Sequence, residues 1–512
     1  MLLSSRGREG GGEIRRRPLD RQHPFPFPFS FPVLLLLLVP TLTPCARSTS
    51  MTSLHSNPSP FLERRVGDIL LIPISITYEQ RMETHLYATE MLGIPKPKEG
   101  LGTMLAGGTA ALKTKHGRMH CKVGTPISAR ARAEGKVKRE LGTLTPGEGK
   151  PYDDAGKQFI LDLGYEVVHA QQNLFVITVP SIFASLVLLH SDQGATSIPV
   201  DQLVRETAAI AEAVIARGHT VDMHLLDNTH AVCTSVHATL LADLHRWMRP
   251  LSPAADLVKG DVTVAVSRDH AQKAFNTILL AHSRNETLHV FAVEALFVLA
   301  WATLSGGTIE GDLSTAALFE EFRFMLQLLY TEVVLPVYCE EDERKLFDRA
   351  VHRLTTFGML KSHGSHVGKL RFAAGSHVLH HANFVSSFLS PFVQCCANVT
   401  AHLIADESIV ATPFPSVFLK RMHKELGWPS ALIGRGCTSA ECLSQDTLKN
   451  SLDAMVRLGA ITTDVKDAAG RGKVVDVKVT RVLSERLTTV VTAVAKLNAS
   501  STGASTAPPS RL

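Results

Sequence analysis

The feature that most constrains this chain is one apolar run. Asp68-Ile-Leu-Leu-Ile-Pro-Ile-Ser-Ile-Thr77 is rich in β-branched side chains and has no regular alternation of polar and apolar positions. Successive side chains of a strand point to opposite faces, so a strand with one wet face alternates. A run that is apolar almost throughout reads as a strand covered on both faces, the kind found in a mixed α/β sheet. The flanking sequence supplies covering elements. Tyr78–Met91 is helical in pattern, and Thr103–Lys115 fits a small helix. Between them Gly93-Ile-Pro-Lys-Pro-Lys98 is a loop, because each proline pushes its predecessor out of the helical region. His120–Gly124, followed by Pro126, reads as a short strand and turn.

Beyond this unit the character changes. Arg130–Arg139 is basic and Thr145–Gly156 is rich in Gly, Pro and Asp, which marks 129–160 as a linker. Helical patterns then dominate from 161 to 495. Leu174–Leu189 carries no charge and is interrupted by Pro180. It is shorter than the roughly 20 residues a spanning helix needs, so it is expected to be a core or interface-lying helix. Val200–Arg217 is amphipathic through Leu203, Ala208, Ile210, Val214 and Ile215. Leu288–Leu304 and Leu318–Val334 are further apolar helices, and Leu346, Ala350 and Leu354 form a four-residue stripe in Asp342–Thr355. Ser444–Leu458 is a helix, and Ala460–Thr463 with Lys473–Thr480 could pair as strands, the outline of a winged-helix-like end. Lys496–Leu512 is small and polar, a flexible tail. The expected class is therefore α+β, with part of an α/β sheet over 61–128 followed by a mostly helical region.

The first 60 residues differ from the rest. A basic triplet, Arg15–Arg17, precedes alternating Pro and Phe over His23–Pro32 and a leucine block, Val33–Val39. The order imitates a signal peptide. Repeated prolines break the helix such a peptide needs, so 1–60 is expected to be an unstructured leader. The formal net charge of +5 is too small and too dispersed to indicate nucleic acid. Eight irregularly spaced cysteines read as reduced thiols.

Several chemistries find no support. His363-x-x-His366 and His377-x-x-His380-His381 have no Cys or carboxylate at ligand spacing, so no metal is expected. No phosphate-binding glycine motif and no Gly-x-Ser-x-Gly elbow occurs, and no cofactor is implied. A histidine base oriented by an acid would read His-x4-Asp, and none of the 23 histidines has Asp there. His85-x4-Glu90, His289-x4-Glu294 and His402-x4-Glu407 come nearest and read as surface or groove residues. The end of the buried strand is more promising. Pro73, Ser75, Tyr78 and Glu79 sit where it emerges, and ligands collect at strand carboxyl ends in open α/β sheets. Lys96 and Lys98, in the stiff loop that follows, offer two cationic heads to a phosphate.

Ile69-Leu-Leu-Ile-Pro-Ile-Ser-Ile-Thr-Tyr-Glu79, Leu92-Gly-Ile-Pro-Lys-Pro-Lys-Glu99, Gly117-x-x-His120 and Gly124-x-Pro126 resemble the dihydroxyacetone-phosphate and glycerol-3-phosphate acyltransferases. The first stretch is similar to the family's fourth acyltransferase block, and the loop is most similar to the dihydroxyacetone-phosphate branch. Ser283-Arg-Asn-x-x-Leu-His-Val-Phe291, Val333-Val-Leu-Pro336, Phe347-Asp-x-Ala350 and Leu443-x-x-Asp446-x-x-x-Asn450-x-Leu452 extend the likeness, with gaps, over 61–487. The resemblance implies transfer of a fatty acyl group from acyl-CoA to a glycerol-type phosphate. It places Pro73, Ser75, Tyr78 and Glu79 at the acyl or acceptor site, and Lys96 and Lys98 at phosphate or CoA.

One departure matters. The family's His-x4-Asp, its substrate-phosphate block and its Phe-Pro-Glu-Gly-type block precede the fourth block, where this chain has only the leader. The chain is thus expected to correspond to the C-terminal portion of a longer enzyme and to be inactive alone, and no catalytic residue is assigned. Ser510-Arg511-Leu512 resembles the peroxisomal Ser-Lys-Leu-type address, which implies an import receptor and a peroxisome or glycosome. Peripheral membrane contact through Leu174–Leu189 and Leu288–Trp301 is a further expectation. The competing readings are glycerol 3-phosphate as acceptor and a non-catalytic scaffold derived from the family.

Overall fold

A computed structural model describes residues 34–38, 67–79, 84, 88, 118–134, 154–195, 197–222, 263–265, 270–335, 340–362, 368–405, 440–462, 474–475 and 477–502. The described residues are mostly helical with a few small sheets, as the α+β expectation requires.

The apolar run forms β2 (Leu70–Tyr78), buried from Leu71 through Ser75. It lies between β1 (Leu34–Leu38) on one edge and β3 (Met119–Val123) with β4 (Ile127–Ser128) on the other, all antiparallel to it. The leader is therefore not wholly unstructured, because Leu34–Leu38 takes the strand edge that β2 would otherwise leave open. Its other residues lie outside the described ones. Pro73 fits mid-strand for a local reason. Its carbonyl accepts from Gly124 N (2.8 Å), so its nitrogen faces the same edge, in the gap where 124–126 leaves the ladder between β3 and β4. Gly124 is held close: a Cβ there would lie 2.7 Å from Leu174 Cδ1.

Asp68 ties the start of β2 to α1 (Ala129–Ala133). Its carboxylate accepts from Arg130 N at 2.8 Å and from Ser128 Oγ at 2.7 Å, while Ser128 caps α1 through Ala131 N. Helix α2 (Asp154–Leu174) lays Phe159, Leu163 and Val167 on Leu71, Ile127, Ala129 and Ala133, a small core separate from the main one. Both ends of the expected linker, 129–133 and 154–160, are thus helical. Ala129 and Ala133 at one end of the segment and Phe159 at the other bury against β2, and this burial outweighs the local composition.

The helical region follows as β5 (Val176–Ile177), α3 (Val179–Asp192), β6 (Ser197–Pro199), α4 (Val200–Ala216), β7 (Thr220–Val221) and β8 (Thr263–Ala265). Next come α5 (His270–Ser305), β9 (Leu313–Ser314), α6 (Thr315–Leu329), α7 (Glu340–Thr356), β10 (Leu360–Ser362) and β11 (Lys369–Phe372). The rest is α8 (Ser376–Ser386), α9 (Ser390–Ala405), α10 (Gln445–Arg457), β12 (Ile461–Thr462), β13 (Val474–Val475) and α11 (Val477–Thr502). Helix α5 is the axis and packs against α3, α6, α7, α8 and α11. Phe291, Phe297 and Trp301 on α5 meet Phe384, Phe347 and Phe372 at ring distances of 5.3, 5.7 and 4.7 Å. The Leu346, Ala350 and Leu354 stripe is fully buried.

Three expectations change here. Leu174–Leu189 is not one helix: α2 ends at Leu174, and Pro180 opens α3, since the first helical turn needs no amide donor. Val477–Thr480 joins α11 rather than a strand, so only Val474–Val475 pairs with Ile461–Thr462. The tail is helical to Thr502, where buried Leu497 anchors it. The stretches expected at a membrane surface are interior, with Val179–Leu189 and Val290–Ala302 buried throughout. Phe275–Ser305 is long and apolar enough to cross a bilayer, but most of it is already covered by protein.

Candidate substrate site at the strand end

Cross-strand partners in an antiparallel pair share a face. The register sets Ile74, Ile76 and Tyr78 beside Val123, Cys121 and Met119 on one face, and Ser75 and Thr77 beside Lys122 and His120 on the other. The strand-end residues are therefore divided. Pro73, Ser75 and Glu79 belong to the face turned towards the helical region, while Tyr78 lies on the opposite face beside exposed Met119. Lys96, Lys98 and Ser510-Arg511-Leu512 lie outside the described residues.

At the end of β2 a polar cluster joins the sheet to the helical region. Glu79 N donates to Arg118 O (3.0 Å), and Glu79 Oε2 accepts from Arg118 N (2.9 Å). Asp222, just past β7, is buried and accepts from Arg118 Nη1 at 3.3 Å and from His120 Nε2 at 3.1 Å. Lys122 Nζ donates to Thr220 Oγ1 at 2.7 Å. Strand β7 is placed by its parallel pairing with β5, and Asp222 N bonds Ile177 O at 3.0 Å. Burial raises the Glu79 carboxyl above the usual carboxylate range, and the Asp222 charge adds to the rise although the Arg118 amide opposes it. The cluster holds two permanent cations, an imidazole oriented by a carboxylate, and a second carboxyl that gives up its charge easily. Such a set can hold an anion or move a proton.

Sequence reasoning reached Glu79 and, through the family likeness, His120. It did not single out Arg118, Lys122 or Asp222. The alternation Arg118-x-His120-x-Lys122 is a readable signal for one strand face. Nothing near Asp222 announces that it meets residues about a hundred positions earlier.

The helical region buries its own charged groups. Arg217 donates from Nε and Nη2 to Glu294, each at 2.7 Å, and His381 Nε2 lies 3.3 Å from the same carboxylate. Burial raises the Glu294 carboxyl, but hydrogen bonds from Arg217 and His381 hold it at about 2. Glu294 is therefore not the orienting acid of His289. Burial drives that imidazole down to about 3, with His219 contributing. Arg284 pairs with Glu441 and donates to Ser387 O at 3.2 Å, joining α5 to the turn before α10. His190 of α3 lies 2.6 Å from Glu206 of α4, near His380. His363, His366, His85, Glu90 and Glu407 lie outside the described residues.

Residues 87–464 match the glycerol-3-phosphate acyltransferase C-terminal region. The chain is 27% identical over 406 residues to the dihydroxyacetone phosphate acyltransferase of Bos taurus, covering 78% of this chain and 55% of that protein. Its likeness to the Homo sapiens enzyme of the same name is 27% over 413 residues, with the same coverage. To the mitochondrial glycerol-3-phosphate acyltransferase 1 of Mus musculus it is 26% identical over 207 residues, 34% of this chain and 24% of that protein. The chain spans about half the length of the first relatives it matches. The matched region runs from just beyond β2 through α10 and β12, and by it this chain belongs to the glycerol-3-phosphate acyltransferase C-terminal region family.

Proposed function

We propose that this chain is part of an acyltransferase of glycerolipid synthesis that moves a fatty acyl group from acyl-CoA to the hydroxyl of dihydroxyacetone phosphate, on the route to ether lipids. The observation that carries the reading is the polar cluster at the end of β2, in the segment that resembles the family's fourth block and next to the helical region that matches the family. The relatives of highest coverage are named for dihydroxyacetone phosphate, which puts that acceptor first. The shorter match to a glycerol-3-phosphate enzyme supports glycerol 3-phosphate as the second reading.

The reaction needs a base to take the acceptor's hydroxyl proton as its oxygen attacks the thioester carbon, and a proton for the departing thiolate. The chain has no His-x4-Asp pair for the first task. In this reading it binds substrate through Pro73, Ser75, Tyr78, Glu79, Lys96 and Lys98, and a separate acyltransferase segment supplies the base. Purified chain incubated with palmitoyl-CoA and dihydroxyacetone phosphate is expected to give no turnover above background; robust turnover would refute this division. In a protein that joins it to a His-x4-Asp segment, Lys96→Ala with Lys98→Ala is expected to raise KM for the phosphate acceptor. An unchanged KM refutes their role. The Ser510-Arg511-Leu512 terminus supports a peroxisomal or glycosomal site of work. A fluorescent fusion is expected to leave that compartment when the three residues are removed; unchanged localisation overturns the assignment.

A further inference from the structure

We propose that Arg118, His120 and Lys122 form an anion subsite for a phosphomonoester, with Asp222 of the helical region as the positioning residue that keeps Arg118 and His120 aligned on it. The inference rests on the acyltransferase reading, because both substrates of that reaction carry a phosphomonoester: the small acceptor, and the 3′-phosphate of coenzyme A.

The geometry has three parts. Arg118, His120 and Lys122 are spaced by two, and their contacts form a ladder on one face of β3: Lys122 meets Thr220, and His120 and Arg118 meet Asp222. Thr220 and Asp222 are also two apart, so the end of β7 reads the row of cations position by position. Second, accessibility is uneven. The Asp222 side chain is 2% exposed, whereas those of Arg118 and His120 are 48% and 24% exposed. The carboxylate is thus a fixed internal anchor, and both of its donor side chains keep part of their surface open to solvent.

The third part is charge. Among the described residues the partner of Lys122 is a hydroxyl, and none of them offers its cation a carboxylate. Asp222 offsets Arg118. Glu79 adds negative charge beside Arg118 only while ionised, and its raised carboxyl takes up a proton more easily than an ordinary glutamate. An arriving dianion therefore meets a row that gains net positive charge as Glu79 protonates. Arginine offers two parallel donors to phosphate, and lysine adds a point charge. The row runs along β3 beside the carboxyl end of β2, next to Glu79.

The test is calorimetric titration of the purified chain with inorganic phosphate, then with sn-glycerol 3-phosphate and with adenosine 3′,5′-bisphosphate. Saturable binding of phosphate is expected. Arg118→Met and the solvent-facing Lys122→Met are each expected to weaken it about fivefold or more. Asp222→Asn removes a negative charge and by field alone would strengthen binding; alignment predicts a loss of about threefold or more instead. Tighter binding of glycerol 3-phosphate than of inorganic phosphate assigns the subsite to the acceptor, and tighter binding of the bisphosphate assigns it to coenzyme A. Absence of saturable phosphate binding, or binding unchanged in both Arg118→Met and Lys122→Met, overturns the subsite. Stronger binding in Asp222→Asn overturns the positioning role. These measurements need no acyl transfer, so failure of the acyltransferase reading shows separately in the turnover assay.

Discussion

Glu332 should make the stability of this protein fall with pH, and Glu332→Gln should abolish that fall. The residue follows α6, its amide bonds Leu329 O at 3.0 Å, and its side chain is enclosed near Asn450 and Arg457 of α10. Burial pushes its carboxyl from 4.5 up to about 8, and the negative charges of Asp446 and Glu441 add to the rise while Asn450 and Arg457 offset part of it. Below about pH 4.5 the carboxyl is protonated whether the chain is folded or unfolded, so it costs nothing. Between about 4.5 and about 8 the unfolded chain releases the proton and the folded chain keeps it, so stability declines as pH rises. At about 1.4 kcal/mol per pH unit the loss reaches about 2 kcal/mol at pH 6 and about 5 kcal/mol above pH 8. Glutamine keeps the shape without the proton linkage. The assay is the apparent unfolding temperature of both proteins from pH 5 to 9 at fixed ionic strength. The variant should gain on the wild type steadily towards alkaline pH, and curves that stay parallel would refute the argument.

Two further tests probe the helical region. Arg217→Ala removes the cation from the buried Glu294 carboxylate, leaving it His381, and should cost about 3–5 kcal/mol in denaturant titration, while Arg217→Met with Glu294→Leu should cost much less, because no buried carboxylate is left without its cation; equal losses would contradict this. Gly307 has φ +93°, and a Cβ there would lie 2.5 Å from Ala493 O and 2.7 Å from Lys496 Cβ, so Gly307→Ala should lower stability by about 2–4 kcal/mol and increase amide exchange where α11 meets α5. Unchanged exchange at 490–497 would show that the contact does not hold α11.

Legibility in the sequence followed the range of the interactions involved. The run over 69–77 announced its strand because burial on both faces demands apolar side chains at consecutive positions. The Leu346, Ala350 and Leu354 stripe announced its helix because one turn repeats within four residues. The segment assigned as linker was harder to read. Its Gly, Pro and basic residues are local signals, whereas the contacts of Phe159, Ala129 and Ala133 with Leu71 are not. Pro180 interrupts the apolar run in the sequence, but only the packed chain shows that it begins a helix.

The sequence by itself determined that a doubly covered strand ends in Tyr78 and Glu79, that a helical region follows, and that the family likeness lies in both. It also determined the spacing of Arg118, His120 and Lys122, since a strand's period of two places such residues on one face whatever the surroundings. Only the tertiary structure decided what that face meets. Asp222 reaches it because β7 pairs with β5, and a pairing of that kind is set by backbone hydrogen bonds that leave no pattern in side-chain order. The same holds for Arg217 and Glu294, 77 residues apart, which the bundle encloses together. A charge in a sequence reads as solvated until the fold removes the water, and then its partner decides whether it can stay.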